Sequence, residues 1–270
     1  TVKSTPASSW TIACRPIEPF TDLKAILHMP LNDSTRDLLR HVSTATLCTA
    51  LFKKGLRNQC IQGVRPVNPQ RPTAPCMVGE AYTLRYIPAR EDLNTMAVFL
   101  DRNHPQRQAI ELCPPGSVLV IDSRKNPGAA SAGGILVSRL AARGCEGVVT
   151  DGGFRDSPDI AAMDFPAYHT RPSAPTNLTL HQAIDLNVPI GCGDVAVFPG
   201  DVIVGDAEAV IVIPAHMADE VAKEAHEMTV FEDFVADMVQ HHGRSIFGLY
   251  PPTDPASLTE FEAWRRKHQR

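Results

Sequence analysis

The sequence predicts an α/β fold built on a central βαβ unit and closed by a late β-meander. Three observations carry this. The continuous apolar run Ser117 to Asp122 (SVLVID) reads as a buried strand, and Gly147 to Asp151 (GVVTD) reads as another. Between them, Ile135 to Arg143 carries a helical pattern closed by Gly144, so the short links favour parallel strands joined by a crossover helix. Near the end, residues 188–214 hold three short strands divided by Pro199-Gly200-Asp201 and Gly205-Asp206, the text of a meander.

The remaining elements follow in chain order. Residues 1–20 are interrupted by Pro6, Pro16 and Pro19 and read as an irregular arm. From 32 to 55 the text is helical in two segments, the first capped by Ser34 and the second by Ser43 or Thr44, with Gly55 closing the second. Residues 56–78 are rich in Pro and Gln and read as a long connection. Gly79 to Ile87 alternates Tyr82, Leu84 and Tyr86 as a strand does, and Met96 to Leu112 reads as a helix broken near Pro105. Met217 to Gln240 is a long amphipathic helix, and the Pro-rich tail from Ser245 is expected to pack against a neighbour or fray. With no internal repeat and no clean boundary, the expected division is an arm (1–31), one α/β domain (32–244) and a C-terminal extension (245–270).

Composition bounds the function. The 270 residues are 43% hydrophobic, 21% charged and 6% aromatic, the make-up of a chain that buries a core rather than stays disordered. No run of about 18 apolar residues occurs, which argues against a membrane span. The net charge of −4 argues against a general phosphate-binding surface, so nucleic acid is not the expected partner. The seven cysteines are odd in number, widely spaced and contain no C-x-x-C, which speaks for reduced thiols rather than a disulfide scaffold or structural zinc. The stretch Thr1 to Pro19 lacks the pattern of a secretory signal, so the expected compartment is the cytoplasm.

The densest chemical constellation is 151–159, Asp151-Gly152-Gly153-Phe154-Arg155-Asp156-Ser157-Pro158-Asp159, directly after a buried strand. Ligands of open α/β sheets bind at that end of the strands. Arg155 offers a planar fork for a carboxylate, and Asp156 offers a hard oxygen for Mg²⁺ or Mn²⁺. Ser157 is expected to cap a short helix beginning at Pro158, which leaves Asp159 about one turn from Asp156. An Arg-Asp neighbour pair is equally a surface ion pair in its simplest form.

The second piece is Ser131-Ala132-Gly133-Gly134, immediately before the crossover helix, where the amides of Ile135 and Leu136 can receive an anion. Tight helix–strand packing explains the two glycines as well. Neither G-x-G-x-x-G nor a Lys-Ser/Thr P-loop ending is present, so dinucleotide and nucleoside-triphosphate readings fail. No G-x-S-x-G elbow or paired-histidine metal motif occurs, and His41, His169 and His181 read as packing or surface residues. Asp122 can orient the loop after its strand, Asp201 and Asp206 read as turn residues, and Glu224 and Glu227 fall on the long helix.

Gly134, twenty intervening residues, Arg155-Asp156, two residues and Asp159 spell G-x20-R-D-x2-D. This resembles the metal-binding signature of the family of the regulator of RNase E activity A, related to class II 4-hydroxy-4-methyl-2-oxoglutarate and 4-carboxy-4-hydroxy-2-oxoadipate aldolases. The likeness extends to STATLCTAL at 43–51, VGEAYTLRY at 78–86, the block 130–158 and DVAVFPGDVIVGDAEAVIVIP at 194–214. It implies a swivelling β/β/α-type sandwich and a homotrimer or hexamer with sites near subunit boundaries. It also implies a divalent metal, Mg²⁺ or Mn²⁺, and 2-oxo acid substrates. By the resemblance, Arg155 holds the substrate carboxylate or enolate oxygen, Asp156 ligates the metal, and Asp159 supports the metal shell. Gly133 and Gly134 shape the pyruvyl site, and the amides of Ile135 and Leu136 bind its carboxylate. An acid from the late helix of a neighbouring subunit, Glu224 or Glu227, joins through water.

The named aldolases carry an aspartate where this chain has Gly134, which matches it to the regulator-like subgroup. The non-enzymatic regulator lacks the full arginine–aspartate–acid set that Arg155, Asp156 and Asp159 complete here. The expected activity is therefore a metal-dependent lyase, by retro-aldol cleavage of a 4-hydroxy-2-oxo acid to pyruvate and by oxaloacetate decarboxylation. A dehydratase of 2-keto-3-deoxy sugar acids and a non-catalytic ribonuclease-regulating protein are the alternatives.

Overall fold

A computed structural model of the chain describes residues 30–70 and 75–270. The arm expected over 1–31 therefore lies almost wholly outside the described residues, as do positions 71–74 of the expected connection.

Two helices open the described chain, α1 (Asp33–Leu39) and α2 (Thr44–Lys53). The cap of α1 is Asn32, not Ser34: the Asn32 side chain accepts from the Thr35 amide, and the Ser34 hydroxyl donates to that same side chain instead. Ser43 caps α2 as expected. The connection that follows contains a two-residue strand, β1 (Arg65–Pro66), which the proline-rich text hid. Then come β2 (Met77–Pro88), a 3₁₀ turn (Met96–Leu100) and α3 (Pro105–Leu112), so the expected long helix is two pieces parted before Pro105.

The centre of the chain runs β3 (Ser117–Asp122), β4 (Ala130–Ala132), α4 (Gly134–Ala142), β5 (Gly147–Thr150), β6 (Gly153–Phe154), α5 (Ser157–Ala161), β7 (Ala167–His169) and β8 (Arg171–Pro172). It continues through β9 (His181–Leu186), β10 (Ile190–Cys192), β11 (Val195–Val197), β12 (Val202–Gly205) and β13 (Val210–Ile213). Two helices close it, α6 (Ala218–His242) and α7 (Pro255–His268).

The main sheet is mixed, in the order β1-β7-β5-β3-β2-β12-β13, with β9 also on β2. The βαβ unit is present: β3 and β5 pair in parallel from Val118 opposite Gly147 to Ile121 opposite Thr150, with α4 between them in the chain. The late segment departs from a single meander. It forms four strands in two antiparallel hairpins, β10–β11 in a sheet of their own and β12–β13 on the edge of the main sheet. The Pro199-Gly200 turn, with Gly200 at φ +88°, sends the chain from one sheet to the other.

Alternation along β2 sorts the core. Leu84 and Tyr86 join Leu119, Ile121, Val137, Leu140 and Ile160 beneath α3, α4 and α5. Val78 joins Val204, Ile211, Leu47 and Val221 beneath α1, α2 and α6. The odd positions Met77 and Ala81 face the opposite way, onto Val118, Val120, Ile203 and the β10–β11 ribbon. Each fully buried Val, Leu, Ile or Met among these contributes about 1.5–3 kcal/mol.

The tail does not fray. Asp254 caps α7, its side chain accepting from the Ala256 amide. Helix α7 lies on α6 through Phe261 and Trp264, whose rings are 5.5 and 5.9 Å from that of the buried Phe234. Among the described residues, no helix is long and apolar enough to cross a membrane.

Candidate active site

A second, smaller sheet builds the site. Strands β4, β6 and β8 are two or three residues long and pair in parallel. Because β4 runs into Gly133-Gly134 and β6 runs into Arg155-Asp156, pairing these strands brings the two motifs together. The Arg155 amide donates to the Ala132 carbonyl at 3.1 Å. The Gly134 amide donates to Asp156 Oδ2, also at 3.1 Å, so a carboxylate caps the start of α4 from across the site.

The glycines are required by this approach. A Cβ on Gly133 would stand 2.7 Å from Arg155 Cγ and 2.9 Å from Asp156 Oδ2; one on Gly134 would stand 3.2 Å from Asp156 Cβ. Asp156 itself sits at φ 57°, ψ 34°, a left-handed conformation that a non-glycine residue seldom takes. It, not Ser157, is the residue at the head of α5; the Ser157 hydroxyl turns back and donates to the Phe154 carbonyl. Arg155 Nε lies 3.6 Å from Asp156 Oδ2, and both side chains stay nearly half exposed.

They face a cavity of about 390 Å³ whose wall includes Gly133, Ile135, Leu136, Arg155 and Asp156. The Ile135 amide, at the second position of α4, is one of the donors that a helix start leaves open. The Leu136 amide already donates to the Gly133 carbonyl at 3.0 Å, so an anion there would share it. Asp159 is exposed and not on the cavity wall; its amide donates to the Asp156 carbonyl. Glu224 and Glu227 pair within their own chain, with Lys54 at 2.8 Å and Arg265 at 2.7 Å, and Arg265 holds the Glu227 carboxyl below its ordinary value.

Other predicted residues are structural. Asp206 accepts from the Thr44 amide and hydroxyl and ties the start of α2 to the β12–β13 turn. Asp201 accepts from the Phe198 and Ala215 amides, and burial pushes its carboxyl up. Asp122 accepts from the Arg124 amide, which shapes the loop after β3. His169 stacks on Phe154, and burial pushes its imidazole down to about 4. His181 stacks on Tyr86 and is likewise lowered by burial.

The sequence singled out Asp151 and Ser131 without their roles, and it missed Ser123, Thr150 and half of the cavity wall. Asp151 is buried and accepts from the amides of Ser123, Lys125 and Gly193, at 2.7, 3.1 and 3.1 Å. Burial raises its carboxyl despite those donors. The hydroxyls of Ser123, Ser131 and Thr150 form a chain beneath β4, and the Tyr86 hydroxyl donates to the Ser131 carbonyl. Gln106, Arg107 and Asn177 also line the cavity. Nothing in their local sequence marks them, because they reach the site only through folding of segments far from 130–159.

The donor set bears on a metal. Among the described residues no group of three or more His, Cys, Asp or Glu side chains gathers to hold one, and Asp156 is the one carboxylate on the cavity wall. A hard dication such as Mg²⁺ takes one or two carboxylates and fills its shell with water and substrate oxygens, so the residues fit Mg²⁺ or Mn²⁺ in that manner.

Fold and site thus define a mixed α/β protein with an arginine–aspartate pair at a helix start. The family model described as RraA-like, Aldolase/RraA, matches residues 44–212, more than half of the chain, and the chain belongs to that family. It is 36% identical over 111 residues to a protein of Halalkalibacterium halodurans described as a "putative 4-hydroxy-4-methyl-2-oxoglutarate aldolase", covering 41% of this chain and 52% of that one. It is 38% identical over 95 residues to an uncharacterized protein of Methanocaldococcus jannaschii, covering 34% and 44%. The chain therefore spans about half the length of these curated relatives. Among solved structures, RraAS2 of Streptomyces coelicolor, described as an unusual member of the RNase ES inhibitor RraA protein family, matches with a TM-score of 0.65 at 26% identity, over 77% of this chain and 98% of that one. An uncharacterized protein from Pseudomonas syringae matches with a TM-score of 0.70 at 23% identity, over 83% and 100%, a likeness of fold.

Proposed function

We propose that the chain is a divalent-metal-dependent lyase of 2-oxo acids, which cleaves a 4-hydroxy-2-oxo acid to pyruvate by a retro-aldol reaction and decarboxylates oxaloacetate. The observation that supports this reading is the meeting of the Arg155 guanidinium, the Asp156 carboxylate and the open start of α4 on one cavity. Asp156 Oδ2 is engaged by the Gly134 amide, which leaves Oδ1 as the oxygen for a cation. Asp159, one turn on, would support its water shell. Bound there, Mg²⁺ or Mn²⁺ supplies Lewis acidity at the 2-oxo oxygen. The Ile135 amide, and the Leu136 amide in part, hold the substrate carboxylate at the positive end of the helix. Arg155 stands beside the oxygen that gains negative charge as the C3–C4 bond breaks and offsets that charge.

Exposed apolar side chains ring the cavity: Ile135 is 85% exposed and Met96 68%. We take this rim to be covered in a homotrimer or hexamer, with the layers in the swivelling β/β/α arrangement and residues 32–244 as the catalytic unit. Sedimentation of the purified chain tests the assembly.

The chemical test is release of pyruvate from oxaloacetate. It is expected only with added Mg²⁺ or Mn²⁺, with inhibition by oxalate. Arg155→Ala and Asp156→Asn should each lower the rate about a hundred- to a thousandfold while melting near the wild-type temperature. Equal rates in chelator and in Mg²⁺ reject the lyase. Loss of water from a 2-keto-3-deoxy aldonate, seen by mass, would assign the site to a dehydratase. The likeness to the Streptomyces structure favours a second reading, a ribonuclease-regulating protein, which inactivity on every 2-oxo acid together with tight RNase E binding would support.

A further inference from the structure

The cavity has a second polar wall that the arginine–aspartate pair does not use. Asn177 is only 4% exposed and lines the cavity, yet its Nδ2 has no hydrogen-bond partner. The Thr176 hydroxyl donates to its Oδ1 at 3.3 Å, and the amide nitrogen is left without a partner. The backbone around it is also held. The Leu180 amide donates to the Asn177 carbonyl, and the Ala130 amide of β4 donates to the Pro175 carbonyl. A buried donor without an acceptor is costly, so an amide at a cavity wall calls for an oxygen partner, which a ligand or an ordered water can supply.

Arg107 lines the same cavity from α3. Its guanidinium lies over the Phe99 ring, 4.6 Å from the centroid, and it has no carboxylate partner among the described residues. Stacking fixes the fork without neutralising it. An unmatched amide donor and an unmatched cation therefore share a wall built from elements other than those that carry Arg155 and Asp156.

We propose that Asn177, assisted by Arg107, is a specificity-determining subsite that binds an oxygen on the substrate's tail, beyond the 2-oxo acid head. This rests on the 2-oxo acid reading of the site. Two tail chemistries offer such an oxygen, a hydroxyl and a carboxylate. The Asn177 amide donates to either, whereas Arg107 adds charge attraction only for the second.

Three ligands of equal chain length, none with a 4-hydroxyl and so none open to retro-aldol cleavage, separate these terms. They are 2-oxopentanoate, 5-hydroxy-2-oxopentanoate and 2-oxoglutarate, titrated by calorimetry in Mg²⁺ with oxalate as the head-only control. Wild-type protein should bind at least one of the oxygen-tailed ligands about tenfold more tightly than 2-oxopentanoate, the usual worth of a good polar contact. Asn177→Ala should erase that preference while oxalate affinity moves less than about twofold, a pattern that general misfolding would not give. Arg107→Gln, at a less buried position, should weaken 2-oxoglutarate alone if the tail is a carboxylate and neither ligand if it is a hydroxyl. A preference that survives Asn177→Ala, or wild-type affinity indifferent to tail oxygen, overturns the subsite. Absence of oxalate binding overturns the 2-oxo acid reading beneath it.

Discussion

The Gly134 amide and the Asp156 carboxylate meet at 3.1 Å across twenty-two positions of sequence, and the contact joins the crossover helix to the site residue in one step. It exists because Gly133 and Gly134 have no side chains to hold the helix start away.

Gly133→Ala is expected to displace the Arg155 and Asp156 side chains, since the new methyl would stand within 3 Å of both. The proposed metal-dependent turnover should fall more than about tenfold, because misplacement of about an ångström at a reacting centre costs up to a hundredfold. Gly134→Ala comes no closer than 3.2 Å, to the Asp156 Cβ, and should fall less. Paired kinetics and thermal melts check the order.

Asp151→Asn should destabilise the loop junction behind the site. The carboxylate accepts three amides, two of them at Oδ2, and an asparagine must turn its NH₂ toward donors on one side. The expected loss is about 1–3 kcal/mol by urea unfolding, the cost of leaving buried donors unmatched.

His169 should make the protein acid-sensitive. Burial pushes its imidazole from 6.5 down to about 4, so the folded state disfavours the proton that the unfolded chain accepts. A depressed value favours folding above about pH 6.5, and the advantage is lost progressively as pH falls through about 4. The full loss is at most about 3 kcal/mol. In His169→Phe, which keeps a ring against Phe154, unfolding free energy should depend less on pH across that window.

Phe234→Ala should loosen the C-terminal helix from its support. Phe234 is fully buried between Phe231, Phe261 and Trp264, and truncating such a ring costs about 3–5 kcal/mol. Trp264 also donates from Nε1 to Asp237 at 2.7 Å, so its fluorescence should shift red in the variant before global unfolding.

The sequence displays its long elements and conceals its short ones. Val118 to Ile121 and Val148-Val149 are continuous apolar runs because both faces of their sheet are covered, and such runs are visible without any partner. The arginine–aspartate pair and the glycine pair stand out for the same reason, as unusual residue types at fixed spacing. Strands β4, β6 and β8 are too short to show alternation, so the sheet that joins the two motifs is invisible until the chain is folded. Helix α7 was hidden by its lead-in, since Pro251, Pro252 and Pro255 read as loop while Pro255 in fact occupies a first-turn position where its missing amide costs nothing. Asn177 and Gln106 enter the cavity from loops and helices whose local text records only packing.

The left-handed backbone at Asp156 has an evolutionary corollary. Asparagine settles in that conformation as readily as aspartate, and its carbonyl oxygen can still receive the Gly134 amide. One substitution would thus remove the carboxylate on which the proposed metal site depends while keeping the contact to the Gly134 amide. A scaffold arranged like this can lose its chemistry and keep its shape, which makes catalysts and non-catalytic binders near neighbours in sequence space.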